Sequence, residues 1–175
     1  MQELTHDQKA IHFETWQHIY EVQKLLHAMQ VELGRRALAH DQSKIFSDEE
    51  CATFAEYTPK LKHIEYGSDE YRQCMQEMGP AIRHHQTNNR HHPEAHEGGV
   101  SGMNLLDVLE MLCDWKAATL RTKNGDIRRS LEIQRERFGL SEQLVAIMEN
   151  TLPLLEGANL NSTTPTVRER GEDVA

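Results

Sequence analysis

Apolar residues in this chain recur at intervals of three, four and seven, and no stretch sustains the alternation of a half-buried strand. Ile11, Val22, Leu25 and Met29 form one such series, with His18 on the same stripe. Thr5-x-x-Gln8 has the spacing of a capping box, so the first long helix is expected to start at Thr5. Gly34 is expected to break it, and a short helix carrying Ala37, Leu38, His40 and Asp41 to follow. Ser47-Asp48-Glu49-Glu50 reads as a second capping box, opening a helix that runs to about Pro59. Tyr66-Gly67-Ser68 reads as a turn with Ser68 capping the next helix, and Gly79-Pro80 kinks or restarts that helix. Gln86 to Gly102 is rich in Asn, Gly and His and reads as a loop, long enough to be functional or mobile. Asn104 is placed to cap a strongly apolar helix ending near Asn124-Gly125. Two more helices follow, Asp126 to Phe138 and Ser141 to Leu152. The expectation is an all-α domain over residues 1–156, a bundle of about six or seven helices. Residues 157–175 form a polar, disordered tail.

Charge narrows the partners. The chain has 28 acidic and 19 basic residues, a net charge of −9, which disfavours binding duplex nucleic acid through its phosphates. Aromatic residues are 6% of the chain, too few to suggest a base-stacking surface. No run of 18 apolar residues exists to cross a membrane, and the first residues lack the basic-then-apolar pattern of a signal peptide. Cys51, Cys74 and Cys113 are scattered and odd in number, so they read as reduced thiols in a cytoplasmic protein. A homo-oligomer is left open.

Histidine changes the picture, because it occurs 11 times and much of the excess is clustered. His40-Asp41 offers a nitrogen and an oxygen ligand from adjacent residues, and Lys44 follows in the segment HDQSK. Four histidines fall within nine residues in HHQTNNRHHPE: His84, His85, His91 and His92. As an isolated tract this could be an exposed polar loop; at a helix end and a turn, its imidazoles can also converge on one point. His18, on an apolar stripe, is by itself as readily a core histidine bonded to a carbonyl. Asp114 sits in the middle of the most apolar helix, where a carboxylate is costly unless it is paired or bound to a cation. Asp107 and Glu110 share its helix face. Lys44, Lys116, Arg121 and Arg90 are candidate phosphate contacts, and Glu110 or Glu94 a candidate proton acceptor.

The order of these residues resembles the HD-domain superfamily of metal-dependent phosphohydrolases. The resemblance places His18, His40, Asp41 and Asp114 at its four metal-ligand positions. HDQSK is similar to the HDxxK variant of the HD-GYP cyclic dinucleotide phosphodiesterases, and HHQTNNRHHPE to their HHExxxGxGYP, here without the Gly-Tyr-Pro. More closely, His18 to about Thr151 resembles an uncharacterised family common in phages and their hosts. Its pattern is read here in HDQSK, YGSDEY, HHQTNNRHHPE, MNLLDVLEMLCDWKAA and NGD.

The resemblance implies an enzyme holding one or two divalent transition-metal ions. Mixed nitrogen and oxygen ligands suit Mn, Fe, Co, Ni or Zn. His18, His40, Asp41 and Asp114 would hold the first ion, and His84, His85, His91 and His92 could hold a second bridged by Asp41. Asp41, Lys44 and Glu110 are the expected catalytic residues. The expected reaction is hydrolysis of a small nucleotide or other phosphoester in a bacterial or phage-infected cell. The alternatives are an HD-type di-iron oxygenase and a non-catalytic metal-binding protein of the same fold.

Overall fold

A computed structural model describes residues 5–64, 68–121 and 124–157. The turn at Tyr66-Gly67 and the expected tail beyond Gly157 lie outside those residues. Seven helices of nine residues or more and one single-turn helix account for the secondary structure, with two short 3-10 turns and no strand among the described residues. The chain is all-α, as its periodicity predicts. It divides into two compact units, residues 1–110 and 111–175.

The first unit opens with α1, His6–Ala39. Thr5 caps it as expected: its hydroxyl accepts from the Gln8 backbone while the Gln8 side chain accepts from the Thr5 N–H. Gly34 does not break the helix. A single interior glycine costs only about 1 kcal/mol, and Glu32 bridges across it to Arg35 and Arg36. Ala37 and Leu38 therefore belong to α1, and the helix ends at His40. No residue of α1 is buried, and Ile11, Trp16 and Leu25 are all exposed.

After Asp41 the chain makes the single turn α2, Ser43–Phe46, and then α3, Cys51–Leu61. The capping box expected at Ser47 does not form. The Ser47 hydroxyl bonds Glu49, and the Glu50 side chain is turned inward, so α3 begins at Cys51 and carries Pro59 inside its last turn. Helix α4, Asp69–Glu77, is capped by Ser68 as expected. Helix α5, Gly79–Asn88, restarts the chain with Pro80 in its first turn. Its buried residues, Ala81 and His85, are four apart on one face. The expected loop from Gln86 is shorter than its composition implied. It begins only after Asn88 and contains 3-10 turns at Pro93–Ala95 and Gly99–Gly102, with Gly98 and Gly99 at positive φ. Asn104 then caps α6, Leu105–Leu120, by accepting from the N–H groups of Leu106 and Asp107.

The second unit contains most of α6, then α7, Ile127–Phe138, and α8, Glu142–Glu156. Helix α6 stops at Leu120, before the Asn124-Gly125 stop signal. Asp126 caps α7, Gly139 closes it at φ 62, and Ser141 caps α8, which runs through Pro153. Met111, Leu112, Trp115, Leu131, Met148 and Leu152 are buried, and Trp115 stacks on Phe138. Leu131 is 1% exposed, so Leu131→Ala is expected to cost about 2–5 kcal/mol in urea unfolding. A loss below about 1 kcal/mol would mean that this core collapses around the cavity. No helix among the described residues is long and apolar enough to cross a membrane. The three cysteines form no disulfide.

Candidate metal centre

The centre is built in the first unit from the end of α1, the end of α5 and the start of α6. Asp41 takes φ 55, the one positive φ among described non-glycine residues. A left-handed aspartate costs of the order of 1 kcal/mol and is tolerated where the surroundings demand it. Here it turns the carboxylate toward α5. Lys44 holds one oxygen: its Nζ lies 2.6 Å from Asp41 Oδ2, over the ring of Phe54. The other oxygen, Oδ1, faces His85 Nε2 at 3.1 Å and His91 Nε2 at 3.4 Å.

Those three atoms, Asp41 Oδ1, His85 Nε2 and His91 Nε2, are buried, and none makes a hydrogen bond. Buried polar atoms in native proteins are nearly always satisfied. The His92 ring closes the group, 4.2 Å from His91 and 4.9 Å from His85 between centroids. Each of Asp41, His85, His91 and His92 offers a ligand atom within 4.8 Å of the others. This donor set can hold a divalent ion.

A second set abuts the first. His40, His91 and Glu110 also bring ligand atoms within 4.8 Å of one another. Glu110 Oε1 lies 2.9 Å from His40 Nδ1 and 3.3 Å from His91 Nδ1, while Oε2 lies 3.4 Å from Arg36. His91 belongs to both sets, through a different nitrogen in each contact: Nε2 to Asp41 and Nδ1 to Glu110.

Behind the centre stand Glu50, which reading the sequence did not find, and Asp107, which it placed only on the helix face of Asp114. Glu50 is fully buried, with Oε1 2.8 Å from His84 Nδ1 and Oε2 2.9 Å from His85 Nδ1. Ser43 donates its hydroxyl to the same Oε2. Burial opposes the charge of Glu50, but hydrogen bonds from His84, Ser43 and His85 prevail and hold its carboxyl below the usual range. The only sequence signal was a third acid in a run that reads as a helix start. Burial likewise opposes the charge of Asp41, and the Lys44 ammonium bonded to its Oδ2 favours it, so the carboxyl stays below the ordinary range. Asp107, also fully buried, takes Arg36 at 2.6 Å and Arg90 through both Nε and Nη2, and accepts from the Asn104 N–H. Beside the second set opens a cleft of about 170 Å³, lined by Arg36, His40, Asn89, Arg90, His91 and Glu110 among others.

The expected ligands thus divide. His40, Asp41, His85, His91 and His92 are brought together, with Glu110 beside them. His84 is not among the ligand sets; it stands behind them, bonded to Glu50. His18 is exposed on α1, 22 residues before His40. At 1.5 Å per residue that is about 30 Å along one continuous helix. The expected role of His18 at this ion is therefore corrected: within one chain it cannot reach. Lys44 meets Asp41 and Arg90 meets Asp107. Asp114, Lys116 and Arg121 belong to the second unit, Asp114 one helical turn beyond Glu110 along α6.

No curated protein matches the chain, and no solved structure does. A family model matches residues 7–154, which cover both units' described helices almost end to end. The chain therefore belongs to the family of unknown function DUF5662.

Proposed function

We propose that this protein is a metal-dependent phosphohydrolase of the HD type acting on a small nucleotide or related phosphoester. The observation that carries the reading is the convergence of Asp41 Oδ1, His85 Nε2 and His91 Nε2, buried without hydrogen bonds. Three atoms with lone pairs turned on one another need a cation between them. A mixed nitrogen and oxygen set suits a transition metal such as Mn, Fe, Co, Ni or Zn. A second ion at the abutting set of His40, His91 and Glu110 would need His91 as an imidazolate, since a neutral ring has one lone pair to give.

A divalent ion there supplies Lewis acidity toward a phosphoryl oxygen and eases deprotonation of water. The chain's own groups supply the rest. Lys44 holds Asp41 Oδ2, which aims Oδ1 inward. Arg90 lines the cleft, and its Nη1 is left over from the pair with Asp107, so it can take a phosphate oxygen. Glu110 lines the same cleft beside His40 and is our candidate to accept a proton.

The test is phosphate release from nucleoside mono-, di- and triphosphates and cyclic dinucleotides, with each of the five metals and with bound metal quantified. Release that depends on metal supports the reading. Metal bound and no release from any substrate would sink hydrolysis, and two tightly held irons would favour the oxygenase. Lys44→Ala is expected to lower turnover about ten-fold, since a charge-assisted bond to Asp41 is worth about 1.5 kcal/mol or more. An unchanged rate would remove Lys44 from the catalytic machinery.

A further inference from the structure

We infer that Glu50 is a positioning residue: it dictates which ring nitrogen of His85 carries the proton and thereby presents the Nε2 lone pair to the metal centre. The inference rests on the metal reading above for its consequence, but not for its geometry.

Glu50 comes from the turn before α3, yet its carboxylate ends between two histidines of α5. Asp48 and Glu49 next to it are exposed, while Glu50 is buried. An ionised carboxylate only accepts hydrogen bonds. Contacts of 2.8 Å to His84 Nδ1 and 2.9 Å to His85 Nδ1 therefore require a proton on both Nδ1 atoms. In neutral His85 that leaves Nε2 as a bare lone pair, and Nε2 is the atom facing Asp41 Oδ1.

Two donors also lie near His85 Nδ1, Asn89 Nδ2 at 3.1 Å and Ser43 Oγ at 3.2 Å, but each has other acceptors as near or nearer. Ser43 donates to Glu50 Oε2. Asn89 gives its amide hydrogens to the His85 carbonyl at 2.8 Å and to Ser43 Oγ at 3.1 Å. His85 Nδ1 thus has Glu50 as its acceptor. Carboxylates that orient a metal-binding imidazole through its second nitrogen are a recurrent device, and losing one typically costs 10–100-fold in metal affinity. What is particular here is that one carboxylate serves two adjacent imidazoles. Glutamine at this position has one acceptor and one donor end, so Glu50→Gln cannot accept from both rings. One of the two histidines must move its proton to Nε2.

The experiment uses the full chain with nitrogen-15-labelled histidine, metal-free and at alkaline pH, and reads each tautomer from long-range proton–nitrogen correlation. Histidine side chains ordinarily prefer the proton on Nε2, so a proton on Nδ1 of His85 is diagnostic. The expected wild-type result is Nδ1–H at His84 and His85. Glu50→Gln should convert one of them and weaken Co(II), measured by chelator competition, about 10–100-fold. Glu50→Asp keeps two acceptors and should restore the Nδ1–H pattern and part of the affinity. Nε2–H at His85 in the metal-free wild type would overturn the inference. So would a helical Glu50→Gln in which His85 carries its proton on Nε2 yet Co(II) binds as tightly as in wild type. If Glu50→Gln does not fold, the wild-type tautomers alone decide. If the wild type binds no Co(II), the metal reading fails, while the tautomer pattern still reports on Glu50.

Discussion

Asp41→Asn is expected to strip the protein of metal and abolish phosphate release, with helicity intact. Asp41 contributes the one carboxylate oxygen of the set it forms with His85, His91 and His92. Asparagine keeps the size of the side chain and tolerates the left-handed backbone seen at φ 55. It removes the negative charge that offsets a divalent ion, and it loosens the grip of Lys44. Loss of a direct ligand should exceed the 10–100-fold typical for residues one shell out, so metal affinity is expected to fall more than about 100-fold. Asp41→Ala should do the same, with an added backbone penalty of about 1 kcal/mol from the positive φ. His18→Ala is the control. It should leave metal content unchanged, because His18 stands about 30 Å away along α1. The measurements are metal content after gel filtration, phosphate release and far-ultraviolet circular dichroism. Asp41→Asn with full metal content would show that the centre lies elsewhere. Loss of metal in His18→Ala would restore the ligand set inferred from the HD resemblance.

The second large effect falls on stability. Asp107 is fully buried and carries Arg36, Arg90 and the cap of α6 on one carboxylate. Asp107→Ala leaves the Arg36 guanidinium, itself only 14% exposed, with Glu32 and Glu110 as its remaining partners. Breaking a buried ion pair from one side costs about 3–5 kcal/mol, and loss of capping adds about 1. Arg90 recovers part of this by returning to water, since its side chain is 61% exposed. The expected net loss is about 3 kcal/mol, read as a lower urea midpoint with an unchanged slope. Asp107 also sets an acid limit. Burial opposes its charge, but the Asn104 N–H, Arg36 and Arg90 outweigh that and hold its carboxyl below the usual range. A lowered folded pKa gives stability that is present above the ordinary carboxyl value of about 4 and fades as pH falls below it. That acid-dependent part should vanish in Asp107→Asn. A variant within about 1 kcal/mol of wild type would show that the arginines find other partners.

The helices and most of their ends were legible in the sequence because their causes are local. Thr5 with Gln8, Ser68, Asp126 and Ser141 each satisfy a backbone group two or three residues away. The errors at helix ends have local or long-range causes that can be named. Gly34 signals a stop, but one glycine is outweighed by the helix formers around it. Ser47 signals a start, but Glu50 gives its carboxylate to α5 instead.

The chemistry was legible only as a set of candidates. Sequence alone put His40, Asp41 and the histidine-rich segment forward, because those residue types at that density are costly to bury without a purpose. It could not sort them. His84 and His85 are adjacent and look alike, yet about 100° of helix rotation separates them. His85 turns toward Asp41, and His84 has no place in the ligand sets. His18 fitted a family pattern but shares one unbroken helix with His40, and the rigid rise of that helix keeps it away. Glu50 carried only a capping-box pattern that misplaced it, since its histidine partners lie 34 and 35 residues further along the chain. Composition and periodicity thus determined that this chain is helical and rich in metal-binding side chains. Which of those side chains share one point depends on contacts between residues tens of positions apart, and only the tertiary structure sets those.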